Sequence, residues 1–396
     1  MRKQFLLLMA LCLAVGQSWA ERIDVATARE VARTVASRGS TLRSAGELSL
    51  VYAAAPGQTG SALRSASAAG EADYFVFNVP GDGGFVIVAG DDRVRPVLGY
   101  SHAGSFDPDN LPENLRGMLA FYQEQITWAE DNAVEASPAI STEWSQYQSG
   151  TALRAVTGEK VLPTVNWDQD SPYNLQTPTV RGSHTLTGCV ATATAIVMMY
   201  HKWPETVVTK GVSSFDPIND TDFKPESSNF DQDSYSITYA PYDWKSMETI
   251  DGPESAGAQA VSTLMWNIGA NVGMSYGLTF SGANSPYALS KMIDVFGYSN
   301  NIRYKKKAYY YWAEWYDMLR AEIDANRPVL YDGRTIENAG HAFVCDGYAD
   351  DDYFHINWGW GGHNNGFFTL TAFDPENPET NQSDPYCEDM GMSINV

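Results

Sequence analysis

The stretch at residues 187–204, TGCVATATAIVMMYHKWP, decides the fold prediction because it places Cys189 directly after a glycine at the start of a helix. Good helix formers and small residues run from Val190 onward, and the apolar residues keep helical spacing. Pro204 ends this pattern, since proline cannot continue a helix. The sequence therefore predicts a helix over 189–202 that begins with a thiol.

The position of Cys189 indicates chemical reactivity. The unpaired N–H groups and the positive dipole end of a helix stabilise an anion, and the thiolate is the nucleophilic form of cysteine. The alternative is a buried cysteine in a core helix, which is a common role for a single cysteine. Only partners elsewhere in the chain can decide between the two.

The first twenty residues predict a secretory signal peptide. Two basic residues at 2–3 precede an apolar run at 5–15 that is too short to cross a bilayer, and residues 18–20 form a small-x-small cleavage site. No later segment has the pattern of a membrane span. We expect an exported protein, extracellular or at the cell surface, without stable membrane insertion.

Three cysteines remain once this signal is removed: Cys189, Cys345 and Cys387. An odd number in an exported protein leaves at least one thiol free or paired between chains. The sequence does not decide whether Cys345 bonds Cys387, because their separation in space is unknown.

The charge pattern excludes nucleic acid as a partner. The formal net charge is −22, and residues 161–396 carry 30 acidic against 13 basic residues, a net −17. Contact with phosphates needs a basic face, and none is present in the sequence. The cysteines lack zinc spacing and the acidic clusters do not match a calcium loop, so we expect neither a metal nor a cofactor.

Two domains of the α+β class are expected after the signal. Residues 21–160 contain an amphipathic helix at 24–37, strands at 74–79 and 84–89, and a second helix at 114–132. Residues 134–160 lose periodicity and are rich in Ser, Thr, Ala and Gly, which predicts a linker.

The second domain, 161–396, begins with helices and ends with strands. Helices are predicted at 189–202, 256–270, 286–296 and 311–326, and strands at 329–331, 342–346, 353–358 and 367–370. The cysteine helix thus comes first and the sheet follows.

A thiol nucleophile needs a base within hydrogen-bond reach, and His341 is the best of the six histidines. It opens the strand HAFVCDGY, which would hold the ring rigidly, while Gly340 before it leaves room for a substrate backbone. A structural histidine at a strand start is the alternative. The G-x-S-x-G match at 273–277 is a weak competitor, because a serine elbow needs a strand before it and a helix after it.

Two further segments supply what a Cys/His pair lacks. Asn357 offers an amide that can orient an imidazole, and Trp358 and Trp360 offer indoles that shield an ion pair from water. Upstream, Gln169 offers a neutral donor that, with the Cys189 N–H, can complete an oxyanion hole. Taken singly, these residues are equally compatible with a packed aromatic turn and a polar loop.

In four segments the chain resembles the streptopain family of secreted bacterial cysteine proteases. They are, in order, WDQDSPYN from Trp167, TGCVATATAIVMMYH from Thr187, GHAFVCDGY from Gly340 and HINWGWGGHNNGFF from His355. The stretch YFVFNVPGDGGFVIVAGDDRVRPVLGYSHAGSF, from Tyr74, is similar to that family's propeptide. Several long motifs in the correct order are more specific than any one of them.

The resemblance implies a papain-like fold in which a helical half bearing the nucleophile packs on an antiparallel sheet bearing the histidine. It implies that Cys189 is the nucleophile, His341 the general base and acid, and Gln169 the oxyanion donor. Where papain-like enzymes carry N-S-W-G, this chain differs, so either Asn357 or Trp358 corresponds to the orienting position.

The resemblance also implies a substrate-binding loop at 276–285, with Gly277, Ser281 and Gly282, which together with Trp360 forms an apolar pocket. A preference for a hydrophobic residue one step before the cleaved position follows. The expected partners are protein or peptide substrates and the chain's own propeptide, 21–160, as an intramolecular inhibitor. The rival functions are a cysteine-dependent transferase or amidase of the same fold and a non-catalytic binding protein.

Overall fold

The computed structural model describes residues 21–39, 47–56, 71–151, 158–223, 229–334, 340–350, 352–377, 380 and 390–396. The predicted signal peptide and Cys387 lie outside these residues. Within them, no helix has both the length and the apolarity needed to cross a membrane.

The N-terminal part packs helices on an antiparallel sheet. The strands of this sheet are β1 (Ser49–Ala53), β2 (Tyr74–Asn78), β3 (Phe85–Ala89) and β4 (Val97–Ser101), and helix α1 (Val25–Gly39) packs on β2, β3 and β4. Helices α2 (Glu113–Asp131) and α3 (Pro138–Gln148) follow. The near-continuous apolar run of β3 is buried on both faces, which explains its lack of alternation.

Helix α3 corrects the prediction of an irregular linker over 134–160. The Ser137 hydroxyl caps it by accepting from the Ile140 N–H at 3.3 Å, and Pro138 begins it. Ile140, Trp144 and Tyr147 are buried, and their spacing of four and three places them on one face. The polar residues between them hid this periodicity.

The C-terminal part has a helical half and a sheet half, as predicted. Its helices are α4 (Cys189–His201), α5 (Ala256–Asn271), α6 (Ser285–Asp294) and α7 (Trp312–Asp324). Its main strands are β10 (Arg303–Lys306), β11 (Val329–Arg334), β12 (Gly340–Ala349), β13 (Tyr353–Asn357), β14 (Gly366–Phe368) and β15 (Gly391–Ile394). The short strands are β5 (Lys160–Val161), β6 (Thr179–Val180), β7 (Ser183–His184), β8 (Ser214–Phe215) and β9 (Tyr235–Ser236).

One sheet runs through both parts in the order β1-β2-β3-β4-β14-β13-β12-β11-β15-β10, and β5 pairs with β12. The junction is the antiparallel pair of β4 with β14, in which Tyr100 lies opposite Phe367 and Gly99 opposite Phe368. One face of the sheet shares a single apolar core with the N-terminal domain and α7, whereas α4, α5 and α6 pack on the other face. The cysteine helix and β12 meet in this second core.

Candidate active site

Cys189 is the first residue of α4, and Gly188 before it is the helix N-cap with φ of +87°. A Cβ at Gly188 would lie 2.6 Å from Met274 Sδ and 3.0 Å from the Ser281 backbone oxygen. Both the backbone angle and the close packing therefore require glycine there. This turn sets the thiol at the start of the helix.

The start of β12, which carries His341, lies beside this thiol. The backbone N–H of Ala342 donates to Cys189 Sγ at 3.5 Å, which brings the second and third residues of β12 to the start of α4. Both Cys189 and His341 are buried. The structure thus brings together the two residues that the sequence singled out for nucleophile and base.

Gln169 lies in a loop tied to the residues just before the cysteine. Its carbonyl accepts from the Thr187 N–H at 3.0 Å, and its own N–H donates to the Asp168 carboxylate at 2.6 Å. The side chain of Gln169 is half-buried. The loop is therefore placed where an amide donor can approach the start of α4.

The tryptophan turn after β13 closes the same region. A Cβ at Gly359 would lie 3.2 Å from Thr192 Cγ2, on the first turn of α4, and the Gly361 N–H donates to the Trp167 oxygen at 3.0 Å. Trp360, between these glycines, is half-buried. The turn thus packs against both the cysteine helix and the loop of Gln169.

Asn357 and Trp358 are committed to other contacts. The Asn357 amide donates to Thr164 Oγ1 at 3.2 Å and to the Val165 oxygen at 3.0 Å, and its oxygen accepts from the Gly359 N–H. The Trp358 indole donates to the Asn364 oxygen at 2.9 Å. Among the described residues, neither side chain hydrogen-bonds His341, so its orienting group stays an open prediction.

The loop named as substrate-binding lies next to Cys189. Ser281 is buried and its hydroxyl accepts from the Gly277 N–H at 3.0 Å, while Gly282 pairs with Ser275 in an isolated bridge. The Gly277 oxygen accepts from the Leu186 N–H, three residues before the cysteine. Gly340, at the start of β12, is exposed. The roles of these four residues toward substrate stay predictions.

Helix α2 of the N-terminal domain covers the site. Glu113, its first residue, places a carboxylate oxygen 3.7 Å from His341 Nε2, and Asn114 Nδ2 donates to the Trp358 backbone oxygen at 3.0 Å. Glu113 remains about half exposed, with 55% of its side chain accessible. The N-terminal domain thus contacts both the histidine and the tryptophan turn.

The electrostatics of this covered site favour neutral forms. Burial lowers the pKa of His341 to about 4. Burial also raises the pKa of Cys189, outweighing the N–H groups of Ala342 and Val190 that favour the thiolate, and the nearby Glu113 carboxylate raises it further. In this covered site burial of the thiol therefore outweighs the benefit expected from the helix start.

Sequence reasoning missed Glu113 and Asn114. Both follow Leu111-Pro112, an ordinary helix start, and their contacts are made with residues more than two hundred positions later in the chain. Only knowledge of how the two domains pack could have assigned them to the site.

Comparison with known proteins agrees with this arrangement. Residues 167–368 match the model of the Peptidase C10 family, and residues 20–126 match that of the Spi protease inhibitor. Among solved structures, a fragment of prointerpain A from Prevotella intermedia is 26% identical, covers 88% of this chain and 98% of its own, and has a TM-score of 0.63.

Two curated relatives are similar in sequence. The thiol protease/hemagglutinin PrtT of Porphyromonas gingivalis is 35% identical over 336 residues, which are 82% of this chain but 37% of that protein. Streptopain of Streptococcus pyogenes is 33% identical over 318 residues, 76% of this chain and 75% of that protein. The chain therefore spans little more than a third of the first relative and three quarters of the second.

The fold and site together define a cysteine peptidase with a papain-like fold, preceded by an inhibitor domain. The predicted α+β architecture is thereby confirmed. The chain belongs to the Peptidase C10 family.

Proposed function

We propose that the chain is a secreted cysteine endopeptidase made as a zymogen, with Cys189 as nucleophile, His341 as general base and acid, and Gln169 as oxyanion donor. The observation that carries this assignment is the 3.5 Å hydrogen bond from the Ala342 N–H to Cys189 Sγ, which sets the histidine strand against the cysteine helix. Residues 1–20 would direct export, residues 21–160 would act as inhibitor, and residues 161–396 would carry catalysis.

The mechanism follows from these positions. In the open enzyme the Cys189 thiolate, paired with the His341 imidazolium, attacks the peptide carbonyl carbon and forms a C–S bond. The oxyanion accepts from Gln169 and the Cys189 N–H, and His341 then gives its proton to the leaving amine as the C–N bond breaks. Water, deprotonated by His341, attacks the thioester carbonyl carbon, the C–S bond breaks, and the thiolate–imidazolium pair is regenerated.

The experiment that tests this function is digestion of casein by the processed enzyme, together with labelling by an epoxide inhibitor of cysteine peptidases and mapping of the modified residue. We expect casein cleavage and a single label on Cys189. Cleavage of casein with the label on another residue would contradict the site assignment. A labelled Cys189 without any peptide hydrolysis would favour a transferase or amidase.

Latency is attributed to helix α2. With α2 in place, His341 is neutral at neutral pH and the Cys189 pKa is raised, so the thiolate–imidazolium pair is not formed. Glu113 and Asn114 also occupy the space between the histidine and the tryptophan turn. Release of this helix would restore solvent and allow the ion pair to form.

The charge of Glu113 gives a prediction of its own. In the Glu113→Gln zymogen we expect iodoacetamide to alkylate Cys189 a few-fold faster at fixed pH. The Glu113 carboxylate disfavours the thiolate by about 0.5–1 kcal/mol, so its loss lowers the thiol pKa. The pH dependence of alkylation, followed by mass spectrometry, measures the change. The exposed Glu135→Gln variant is the matched control, and equal rates in the two variants would argue against the role of Glu113.

Removal of the Gln169 amide should slow the chemical step. In the processed Gln169→Ala enzyme we expect kcat to fall about 10²–10³-fold with little change in KM, because the donor acts on charge that develops in the transition state. Steady-state kinetics on a short peptide check this. Gln176→Ala removes an amide from an exposed position later in the chain, where it contacts Gln259, and should leave kcat unchanged. A Gln169→Ala enzyme with lower stability but unchanged kcat would contradict the catalytic role.

The processed enzyme should begin close to Val161. Strand β5 pairs Val161 with Gly347 of β12, and the Leu162 N–H donates to the Asp346 oxygen at 2.8 Å, so the chain is anchored from this point on. N-terminal sequencing of the active form tests the position. A start beyond Trp167 would be incompatible with the proposal, since the segment that holds Gln169 would be lost.

A further inference from the structure

The edge of strand β14 is covered by the propeptide strand β4. Beyond the two paired positions, the Thr369 N–H donates to the Leu98 oxygen at 3.0 Å and the Arg95 N–H donates to the Ala372 oxygen at 2.8 Å. The backbone pairing thus extends for some distance past β14 itself. In the described part of the chain, β4 is the strand that lies on this side of β14.

The side chains along this edge determine which residues fit opposite them. Tyr100 stacks on Phe367 with ring centroids 5.2 Å apart and an interplanar angle of 22°. At Gly99 a Cβ would lie 2.6 Å from Phe368 Cδ1 and 3.1 Å from the Phe367 oxygen, so only glycine fits opposite Phe368. The edge therefore suits an extended segment with glycine followed by an aromatic residue.

A cation site lies at the other end of the same strand pair. The Arg95 guanidinium contacts the Asp352 carboxylate at 2.9 Å and lies 5.1 Å from the Tyr353 ring centroid, and Arg95 is 8% exposed. Its second acidic neighbour, Glu143, belongs to the propeptide, whereas Asp352 and Tyr353 remain after processing. The remaining pair of carboxylate and ring suits a basic side chain.

Removal of the propeptide leaves this edge without its strand. Bare N–H and C=O groups along a strand recruit another extended chain, as in strand addition to a sheet edge. A second copy of the enzyme is a poor occupant, because residues 161–396 carry a net charge of −17 and two copies repel each other. A segment with a basic residue complements that charge.

We propose that in the processed enzyme the β14 edge is an exosite that binds an extended segment of protein substrates, with a basic residue followed four positions later by glycine and an aromatic residue. The inference rests on the proposed peptidase function and extends it to substrate selection. Its chemistry is backbone pairing along residues 366–372, stacking on Phe367 and an ion pair with Asp352.

The propeptide also shows the direction of such binding. Its chain leaves β4 at Ser101 and reaches the catalytic histidine at Glu113. A linker of about a dozen residues therefore joins the edge to the cleft. The exosite segment lies on the N-terminal side of the bond that is cut.

The test uses enzyme produced by processing of the full chain and freed of its propeptide. Two fluorogenic peptides share one scissile sequence and one twelve-residue linker, and differ only in an N-terminal RPVLGYS, the sequence of residues 95–101, or its scrambled form. We expect KM to be about tenfold lower for the RPVLGYS peptide with kcat unchanged, because edge binding raises the local concentration of the scissile bond.

Two variants locate the effect. Asp352→Asn in the enzyme should reduce the KM ratio of the two peptides toward one, whereas Asp294→Asn, at an exposed carboxylate at the end of α6, should preserve the ratio. If Asp352→Asn does not fold, replacing glycine by valine in the RPVLGYS peptide makes the same test on the unchanged enzyme. The valine peptide should lose its advantage.

Each outcome decides a different question. Equal KM values for two peptides that are both cleaved would overturn the exosite while leaving the peptidase function intact. Failure to cleave either peptide would instead contradict the proposed function. A stable dimer of the processed enzyme in sedimentation, with its β14 edge protected from hydrogen exchange, would assign the edge to a second copy and overturn the exosite.

Discussion

Replacing Cys189 with alanine is expected to abolish proteolysis and self-processing, with activity falling by a factor on the order of 10⁴ or more. In the proposed mechanism Cys189 forms the covalent intermediate, which alanine cannot do, and loss of one member of a catalytic pair removes nearly all its contribution. The Cys189→Ala chain should keep its full length after prolonged incubation. Intact mass spectrometry and casein hydrolysis measure the two effects.

Cys345 provides the control for this experiment. It is a buried cysteine in β12, its burial raises the thiol pKa, and it lies in the core on the side of the propeptide. Cys345→Ala should lower stability through lost packing and leave kcat nearly unchanged. Loss of self-processing in Cys345→Ala with retention in Cys189→Ala would reverse the assignment of the nucleophile.

His341→Ala should have the second largest effect, a loss of at least 10³-fold in kcat/KM at neutral pH. In the proposed mechanism the histidine supplies both the base for the thiol and the acid for the leaving amine, and each role contributes orders of magnitude to the rate. Peptide hydrolysis by enzyme cut with an external protease avoids the need for self-processing. The exposed His184→Gln variant is the control, and comparable losses in both would indicate a general effect on folding.

The same histidine makes latency depend on pH. Burial lowers its pKa from the ordinary 6.5 to about 4 in the covered site, so a form with a solvated imidazole binds more protons between these values. The contribution of His341 to the stability of the covered form is complete above pH 6.5 and is lost as the pH falls through 4. NMR titration of His341 in the Cys189→Ala zymogen should give the low midpoint, and the midpoint should rise after propeptide removal.

Local signals made most of the fold predictable. The cysteine helix was placed within one residue of its observed end because its start and its proline stop are both encoded nearby. Strand β12 was predicted at 342–346 and extends over Gly340–Ala349, since pairing on both sides lengthens it beyond its apolar centre. Helix α3 was missed because its three buried anchors are isolated among polar residues.

The chemistry of the site could be predicted from the sequence only in part. Cys189, His341 and Gln169 each occupy a segment with an unusual glycine or a distinctive loop, and their order along the chain made a joint prediction possible. The state of the site was not predictable, because burial of the thiol in the folded chain reverses the expected shift of its pKa. The pairing of β4 with β14 joins segments that are far apart in the sequence, and no local sequence pattern specifies it.

That long-range pairing has a consequence for how the chain folds. The Ser101 hydroxyl donates to the Asn365 oxygen across 264 positions of sequence, so the central sheet closes only after the segment that contains Asn365 has been synthesised. Closure of so large a loop is slow, and the strand edges stay exposed until it happens. A cut made before closure would remove the strand that completes the sheet. A delay in processing would therefore also give the chain time to fold.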